Sequence, residues 1–303
     1  MSLGYDKNLY ILAFDHRGSF RKMLGVTGTP TADDMAKIAD AKALIFEGLE
    51  VALDSGAPKD ASGALCDEES AAGVARAAKA AGIVFAMPAE KSGQDEFDFE
   101  YDDWAQHIED FDPDFCKVLV RYNPDDDATM NARQTEKLAQ LASWLHDNDR
   151  KFLFELLVPA SEGQLASVGG DGGRYDTEVR PGLMVQVIQA MQAGGVEADI
   201  WKIEGVDDRA DCERIAATAR AGGRDGVGCV VLGRGANSAK VDEWLRAGAG
   251  VPGYLGFAIG RTIWSDALSG FGNGSITRDD ARATISANFL HAVDVNSKAE
   301  TAS

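Results

Sequence analysis

The feature that most constrains the fold is a series of short apolar runs that alternate with alanine-rich helical stretches. Eight runs can be counted, at 9–14, 63–66, 83–87, 115–120, 152–157, 200–203, 227–232 and 254–258. The chain has 303 residues, so 303/8 leaves roughly 38 residues for each strand and its helix, which suits a (β/α)8 barrel. Several runs are apolar throughout, as parallel strands are when both faces are buried. The sequence predicts an α/β fold with a single (β/α)8 TIM barrel.

Helices are predicted between the runs, most clearly at 34–53, 134–147 and 182–193. Thr31 precedes the first of these in the position of an N-cap. The segment 277–293 begins with a Thr-Arg-Asp-Asp capping signal and predicts a C-terminal helix. No linker, low-complexity tract or proline-rich hinge interrupts the sequence. We therefore expect a single TIM-barrel domain over 1–303.

An open, doubly wound sheet is the rival architecture. Such a sheet usually carries a Gly-x-Gly-x-x-Gly loop between its first strand and the helix that follows. Here the first run ends in Asp15, His16, Arg17 and Gly18, which do not match that loop. The number and spacing of the runs therefore favour the barrel.

Composition excludes several classes of function. A hydrophobic content of 45% argues against disorder. The 49 acidic residues exceed the 30 basic ones, and the resulting net charge of −19 repels nucleic acid and anionic membranes. No apolar run approaches the ~18–20 residues of a membrane span, and the N-terminus has no signal-peptide core. The four cysteines are far apart and form no Cys-x-x-Cys pair. They predict reduced core thiols in a cytoplasmic protein.

Three charged residues interrupt the apolar runs. Lys117, Glu155 and Lys202 stand inside the fourth, fifth and sixth runs, where an unpartnered ion would be costly to desolvate. One interpretation is an internal ion pair that only completes the barrel core. The other is a catalytic centre, in which burial and a neighbouring cation favour a neutral lysine amine, the nucleophile that forms a Schiff base.

Two glycine-rich turns follow the seventh and eighth runs, and each carries an arginine. One contains Gly233 and Arg234, and the other contains Gly260 and Arg261. A helix N-terminus offers free backbone N–H groups and partial positive charge, and in TIM barrels these two loops are the usual phosphate site. A single glycine-rich turn also marks an ordinary tight loop, but the pair predicts phosphate binding.

A metal site is harder to build from this sequence. Of the four histidines, only His16 lies beside a strand end. The acidic residues at 67–69 have the chemistry to bind a divalent ion, but at the start of a helix they are better explained as caps. No Gly-x-Ser-x-Gly turn supports a serine hydrolase. We expect neither a metal nor another cofactor.

Four segments together resemble a known family. They read Leu-Tyr-Ile-Leu-Ala-Phe-Asp-His-Arg-Gly-Ser-Phe (9–20), Lys-Val-Leu-Val-Arg-Tyr-Asn-Pro (117–124), Trp-Lys-Ile-Glu-Gly (201–205) and Gly-Phe-Ala-Ile-Gly-Arg-Thr-Ile-Trp (256–264). They are similar to class I, Schiff-base-forming aldolases of the tagatose-1,6-bisphosphate aldolase-like group. The resemblance is closest to the 2-deoxy-5-keto-gluconate-6-phosphate aldolase domain of inositol catabolism and covers nearly the whole chain. It implies a metal-independent carbon–carbon lyase.

The resemblance also implies roles for individual residues. Lys202 takes the place of the Schiff-base lysine, Lys117 that of the family's second lysine, and Glu155 that of the acid/base glutamate. Asp15 stands where the family has a strand-1 aspartate. These four are the predicted catalytic residues.

Substrate-binding residues follow in the same way. Arg261 matches the phosphate-binding arginine, with support from the backbone near Gly233 and Gly260 and from Arg234. The far end of a keto-acid substrate carries a carboxylate and needs a cation, for which the sequence offers three candidates without choosing among them: Lys91, Arg17 and Arg121.

Two departures from the family pattern bear on the substrate. Tagatose bisphosphate aldolases read Asp-Gln-Arg-Gly after strand 1, where this chain has His16, and Lys-Val-Glu-Val-Pro at strand 6, where it has Gly205. These differences favour cleavage of 2-deoxy-5-keto-gluconate 6-phosphate to dihydroxyacetone phosphate and malonate semialdehyde.

Four alternatives stay open. Two of them change the substrate, to tagatose 1,6-bisphosphate or to a sulfo-ketose phosphate. The third is a non-catalytic sugar-phosphate-binding regulator on the same barrel. The fourth is a metal-dependent aldolase or epimerase. In every case the expected partner is a phosphorylated small molecule rather than nucleic acid or membrane. Barrels of this size often associate, so a homo-oligomer is also expected.

Overall fold

The computed structural model describes residues 2–302 and forms a closed barrel of eight parallel strands, in which each strand pairs with the next and the eighth pairs with the first. The strands are Leu9–Ala13 (β1), Ser62–Leu65 (β2), Val84–Pro88 (β3), Phe115–Arg121 (β4), Lys151–Leu157 (β5), Ile200–Glu204 (β6), Gly228–Leu232 (β7) and Tyr254–Ile259 (β8). Each strand coincides with one predicted run to within a few residues. The prediction of a single (β/α)8 TIM barrel is confirmed.

Helices surround the barrel. They are Gly18–Met23 (α1), Ala32–Asp54 (α2), Glu68–Ala81 (α3), Trp104–Phe111 (α4), Ala128–Asp147 (α5), Glu162–Ser167 (α6), Gly172–Arg174 (α7), Arg180–Ala193 (α8), Arg209–Arg220 (α9), Ser238–Gly248 (α10), Arg261–Gly272 (α11) and Arg278–Ala302 (α12). A π-helical segment, Tyr175–Val179, joins α7 to α8. The C-terminal helix α12 begins one residue after the predicted start and extends beyond the predicted end. No helix within residues 2–302 is both long and apolar enough to cross a membrane.

Local side-chain chemistry determines where helices begin. The Thr31 hydroxyl accepts the backbone N–H of Asp34, and the Asp34 carboxylate accepts the backbone N–H of Thr31, which forms a capping box. At α3 the Asp67 carboxylate accepts the backbone N–H of Ser70. The expected capping role of the acidic residues at 67–69 is confirmed for Asp67.

Side chains of the strands alternate between two apolar layers. The inner layer fills the barrel and consists of Leu9, Ile11, Ala13, Leu65, Ala86, Phe115, Leu153, Ile200, Val230 and Ala258. Trp201 belongs to the larger outer layer between strands and helices. Because successive residues of a strand face opposite sides, Lys202 points into the barrel. The four cysteines are free and buried, as predicted.

Candidate active site

Three neighbouring strands bring charged side chains into the barrel. Glu155 on β5 is the register partner of Lys202 on β6, so the two point inward side by side. Lys117 on β4 pairs with Leu153, which is one inward position below Glu155. The exposed fractions of Lys117, Lys202 and Glu155 are 1%, 2% and 5%. The pairing of β4, β5 and β6 thus brings together the three charged residues that interrupt apolar runs in the sequence.

The ammonium group of Lys117 is enclosed by three carboxylates. Its Nζ lies 2.8 Å from Asp15 Oδ2, 2.9 Å from Glu90 Oε1 and 3.0 Å from Glu155 Oε2. Burial by itself lowers the pKa of a lysine, but these carboxylates outweigh it and raise the pKa of Lys117 well above its usual value. Lys117 is therefore a fixed cation at neutral pH.

One carboxylate oxygen serves both lysines. Glu155 Oε2 lies 3.0 Å from Lys117 Nζ and 3.0 Å from Lys202 Nζ. Burial raises the pKa of Glu155, but the two lysines outweigh it, so that the pKa is lowered. For Asp15, burial is likewise outweighed by Lys117 and Lys202, and its pKa is lowered. Both carboxyl groups are ionised at neutral pH, and Lys202 has an ionised base within hydrogen-bonding distance.

The turns after β7 and β8 form the second part of the site. Gly260 precedes α11 without a side-chain cap, which leaves backbone N–H groups at that helix end available to a ligand. Arg261 begins the helix, and its guanidinium donates to the carbonyl of Arg234 at 3.2 Å. Gly235 has a φ of 72°, and a Cβ there would lie 2.9 Å from the Arg261 guanidinium. Glycine at this position keeps the two turns together.

Gly233 and Arg234 are less available to a ligand than the sequence predicts. Gly233 is buried and does not line the cavity, whereas Gly235 of the same turn does. The Arg234 guanidinium already has two partners, since Nε lies 2.9 Å from Glu204 Oε1 and Nη1 lies 2.9 Å from Asp176 Oδ2. Arg234 lines the cavity, but as a member of a protein ion-pair network.

Glu204 belongs to that network and has no role in the sequence prediction. Its Oε2 accepts the backbone N–H of Val158 at 2.9 Å, and its Oε1 lies 3.5 Å from Arg180 Nη1. Burial raises the pKa of Glu204 to about 7, although Arg180 opposes the shift. The sequence does carry a signal for this residue, because Glu204 stands two positions after Lys202 and so faces the same side of β6. Arg180 and Asp176 come from a helical segment that carries no such signal.

The three cations predicted for the far end of the substrate differ in their partners. Arg17 Nη1 forms an ion pair with Glu100 at 2.9 Å. Arg121 Nη1 donates to the carbonyl of Gln94 at 2.7 Å. Lys91 is exposed. The charge of Arg17 is thus already compensated by a protein carboxylate, whereas the partner found for Arg121 is an uncharged carbonyl.

These groups line one cavity of about 650 Å³ at the C-terminal ends of the strands. The predicted site residues that line it are Asp15, Arg17, Lys91, Lys117, Arg121, Glu155, Lys202, Arg234, Gly260 and Arg261. His16, Glu90 and Glu204 line it as well. Within residues 2–302 no group of three or more His, Cys, Asp or Glu side chains is arranged to hold a metal ion. The cavity combines a buried amine, an ionised base, a fixed cation and an open helix end.

Comparison with protein families gives one match over almost the full length. The sequence model of a family described as "Uncharacterized protein conserved in bacteria (DUF2090)" matches residues 4–300. No curated protein sequence matches the chain.

Solved structures share the barrel at low sequence identity. Fructose-bisphosphate aldolase from Plasmodium falciparum, in complex with TRAP and an inhibitor, has a TM-score of 0.65 at 14% identity, over 97% of this chain and 91% of that chain. Cgl0159 from Corynebacterium glutamicum has a TM-score of 0.57 at 20% identity, over 96% and 88%. A Schiff-base-forming fructose-1,6-bisphosphate aldolase has a TM-score of 0.55 at 15% identity, over 94% of each chain. At these identities the likeness establishes the fold.

Proposed function

We propose that this chain, which belongs to the DUF2090 family of uncharacterized bacterial proteins, is a class I aldolase that forms a Schiff base on Lys202. The observation that carries the proposal is the environment of this amine. Lys202 is 2% exposed, and its Nζ lies 3.0 Å from the ionised Glu155 in a cavity that also contains an open helix end. Two of the structures that share the barrel are aldolases, and one of these is described as Schiff-base-forming, which supports the same chemistry.

Substrate binding begins with the phosphate group. The free N–H groups at the start of α11 and the Arg261 guanidinium attract a dianion. With the phosphate held there, the neighbouring ketone carbon lies beside Lys202. Such positioning lowers the barrier because it removes the entropic cost of bringing the amine and the carbonyl together.

Schiff-base formation needs a neutral amine. Lys202 passes its proton to Glu155 and attacks the ketone carbon to give a carbinolamine. Glu155 returns that proton to the carbinolamine hydroxyl, water departs, and the nitrogen lone pair forms the iminium double bond. The iminium carries the same positive charge as the original ammonium, so the ion pair with Glu155 is retained.

Carbon–carbon cleavage follows from the iminium. Glu155 removes the proton of the β-hydroxyl, the aldehyde C=O forms, and the electrons of the broken C–C bond become the double bond of a neutral enamine. Lys117, fixed as a cation, donates a hydrogen bond to the departing oxygen, and Asp15 and Glu90 hold Lys117 in place. The enamine carbon then takes the proton from Glu155, and water hydrolyses the iminium to release the ketone phosphate.

The proposed substrate is 2-deoxy-5-keto-gluconate 6-phosphate, and the products are dihydroxyacetone phosphate and malonate semialdehyde. Lys91 and Arg121 are the cations proposed for the substrate carboxylate, because Arg17 is already paired with Glu100. Tagatose 1,6-bisphosphate and a sulfo-ketose phosphate are the alternatives. Comparing turnover of the three substrates separates them, because their far ends carry different anions: a planar carboxylate, a phosphate and a tetrahedral sulfonate.

Borohydride trapping tests the Schiff base. Incubation of the protein with dihydroxyacetone phosphate and borohydride reduces the iminium, and mass spectrometry of the digest is expected to find the three-carbon phosphate adduct on the peptide that contains Lys202. Lys202→Met should abolish both the adduct and aldol cleavage, because no amine remains to attack the carbonyl.

Lys298→Met is the matched control, because Lys298 lies on the surface in an ion pair with Asp294 far along α12. This variant should be trapped as efficiently as the wild type. An adduct on another lysine, or cleavage that a chelator abolishes, would contradict the proposal.

A further inference from the structure

His16 lines the cavity, but it takes part in no step of the proposed aldol cleavage. It follows Asp15 at the end of β1. Its Nδ1 is buried and has no hydrogen-bond partner within residues 2–302. The other ring nitrogen, Nε2, also forms no hydrogen bond within those residues, but it is accessible, so it is the nitrogen that a ligand in the cavity can reach.

The imidazole is fixed at the start of α11. It packs edge-on against the Trp264 indole, with ring centroids 5.6 Å apart and planes at 81°. A Cβ on Gly260 would lie 3.0 Å from its Cε1. Trp264 is itself anchored, because its Nε1–H donates to the Ala13 carbonyl at 2.9 Å. The backbone of His16 is held as well, since Lys42 Nζ donates to the His16 carbonyl at 3.1 Å. The ring therefore has a defined position beside the helix end where the phosphate is proposed to bind.

Charged groups from four elements face the ring. They are Asp15 after β1, Glu155 on β5, Lys202 on β6 and Arg261 on α11. Burial lowers the pKa of His16 to about 4, and Lys202 and Arg261 act in the same direction. The two carboxylates oppose the shift but do not reverse it, so the imidazole is neutral at neutral pH. A phosphate dianion at the helix end adds negative charge beside the ring and favours its protonated form.

We propose that His16 is a direct ligand of the substrate phosphate and takes up a proton from solvent when the phosphate binds. This inference rests on the proposed function for the location of the phosphate, but not for any step of the aldol chemistry. His16 then determines specificity, because the protonated imidazole strengthens the binding of a phosphate dianion and does not strengthen the binding of an uncharged hydroxyl group. It also couples binding to pH, since a site that gains a proton on binding loses affinity as the pH rises.

Histidine NMR with inorganic phosphate tests the protonation directly. With ¹⁵N-labelled histidine at pH 7.5, saturating phosphate should move one imidazole from the neutral to the protonated pattern, and the signal should be absent from His16→Gln. Glutamine forms hydrogen bonds but does not accept a proton, so this variant removes the charge and keeps a polar group. A His16 signal that stays neutral at saturating phosphate overturns the proposal.

The pH dependence of phosphate affinity gives a second readout. Between pH 7 and 8 the wild-type affinity should fall more steeply than that of His16→Gln, by up to about tenfold per pH unit if one proton is taken up. His291→Gln is the matched control, because His291 is exposed on α12 and lies 3.0 Å from Asp242. It should retain the wild-type slope. Equal slopes in the wild type and His16→Gln would refute the coupling.

A comparison of two ligands separates phosphate recognition from a merely structural role. His16→Gln should weaken binding of dihydroxyacetone phosphate by at least about tenfold, and leave binding of dihydroxyacetone unchanged. Equal losses for both ligands would show that the substitution only disturbs the cavity. The two proposals can fail separately. If only the aldolase proposal is wrong, no borohydride adduct forms on Lys202, but the phosphate titration still shows the effect of His16. A wild type that binds no phosphate overturns both.

Discussion

At the scale of single residues, burial does not determine charge by itself. Lys117 and Glu204 line the same cavity and are both nearly inaccessible to solvent. Three carboxylates outweigh burial at Lys117 and keep it charged, whereas at Glu204 burial outweighs the ion pair with Arg180 and raises the pKa to about 7. The difference lies in how many opposite charges the neighbouring strands and helices contribute.

Glu204 gives a pH-dependent prediction. Its pKa in the folded protein, about 7, is above the ordinary value of 4.5, so the folded state binds this proton more tightly than the unfolded state. The associated stabilisation is complete below about pH 4.5 and is lost as the pH rises through 7.

Glu204→Gln removes this ionisation. Chemical unfolding of the two proteins from pH 5 to 8 should show that the wild type loses about 3 kcal/mol of unfolding free energy relative to the variant. A difference that does not change with pH would contradict the raised pKa.

At the scale of elements, the long helices α2 and α12 depend on a close contact and on local caps. A Cβ on Gly48 of α2 would lie 2.5 Å from Ile285 Cγ2 of α12, so glycine permits the two helices to approach. Arg278 at the start of α12 pairs with Glu47 at 2.7 Å. The N-terminus of α2 depends on the capping box of Thr31.

Thr31→Ala removes one side of that capping box. The free energy of unfolding should fall by about 1 kcal/mol, because a backbone N–H loses its acceptor and the first turn frays. Aldol cleavage should be unchanged, because the cap is remote from the cavity. Thr218→Ala is the control, since Thr218 lies inside α9 and its hydroxyl donates to the carbonyl of Arg214. Alanine at this position favours the helix. Equal losses in the two variants would contradict a capping role for Thr31.

At the scale of the whole molecule, the net charge of −19 dominates long-range electrostatics. Excess negative charge repels itself in the compact state and destabilises it. The buried ion pairs around Lys117 are shielded from salt, but the surface carboxylates are not.

Salt is therefore expected to stabilise the protein. The melting temperature should rise between low ionic strength and about 1 M NaCl, where the screening length is about 3 Å. Differential scanning calorimetry measures the shift, and added sucrose at constant ionic strength shows how much stabilisation occurs without screening. A melting temperature that stays constant or falls with NaCl would contradict the expectation.

The barrel, and the position of Lys117, Glu155 and Lys202 inside its apolar strands, were determined by the sequence alone. Apolar runs of strand length recur at the spacing of strand–helix units, and alternation along each strand divides its residues between two faces. These rules are local, so they apply without knowledge of the register in which neighbouring strands pair.

The partners of those side chains were decided only by the tertiary structure. The enclosure of Lys117 by Asp15, Glu90 and Glu155, and the capture of Arg234 by Glu204 and Asp176, join residues far apart in the chain. Their distances depend on strand register and barrel closure, and their charge states depend on how much water that closure removes. Neither quantity is contained in the order of residues along one segment.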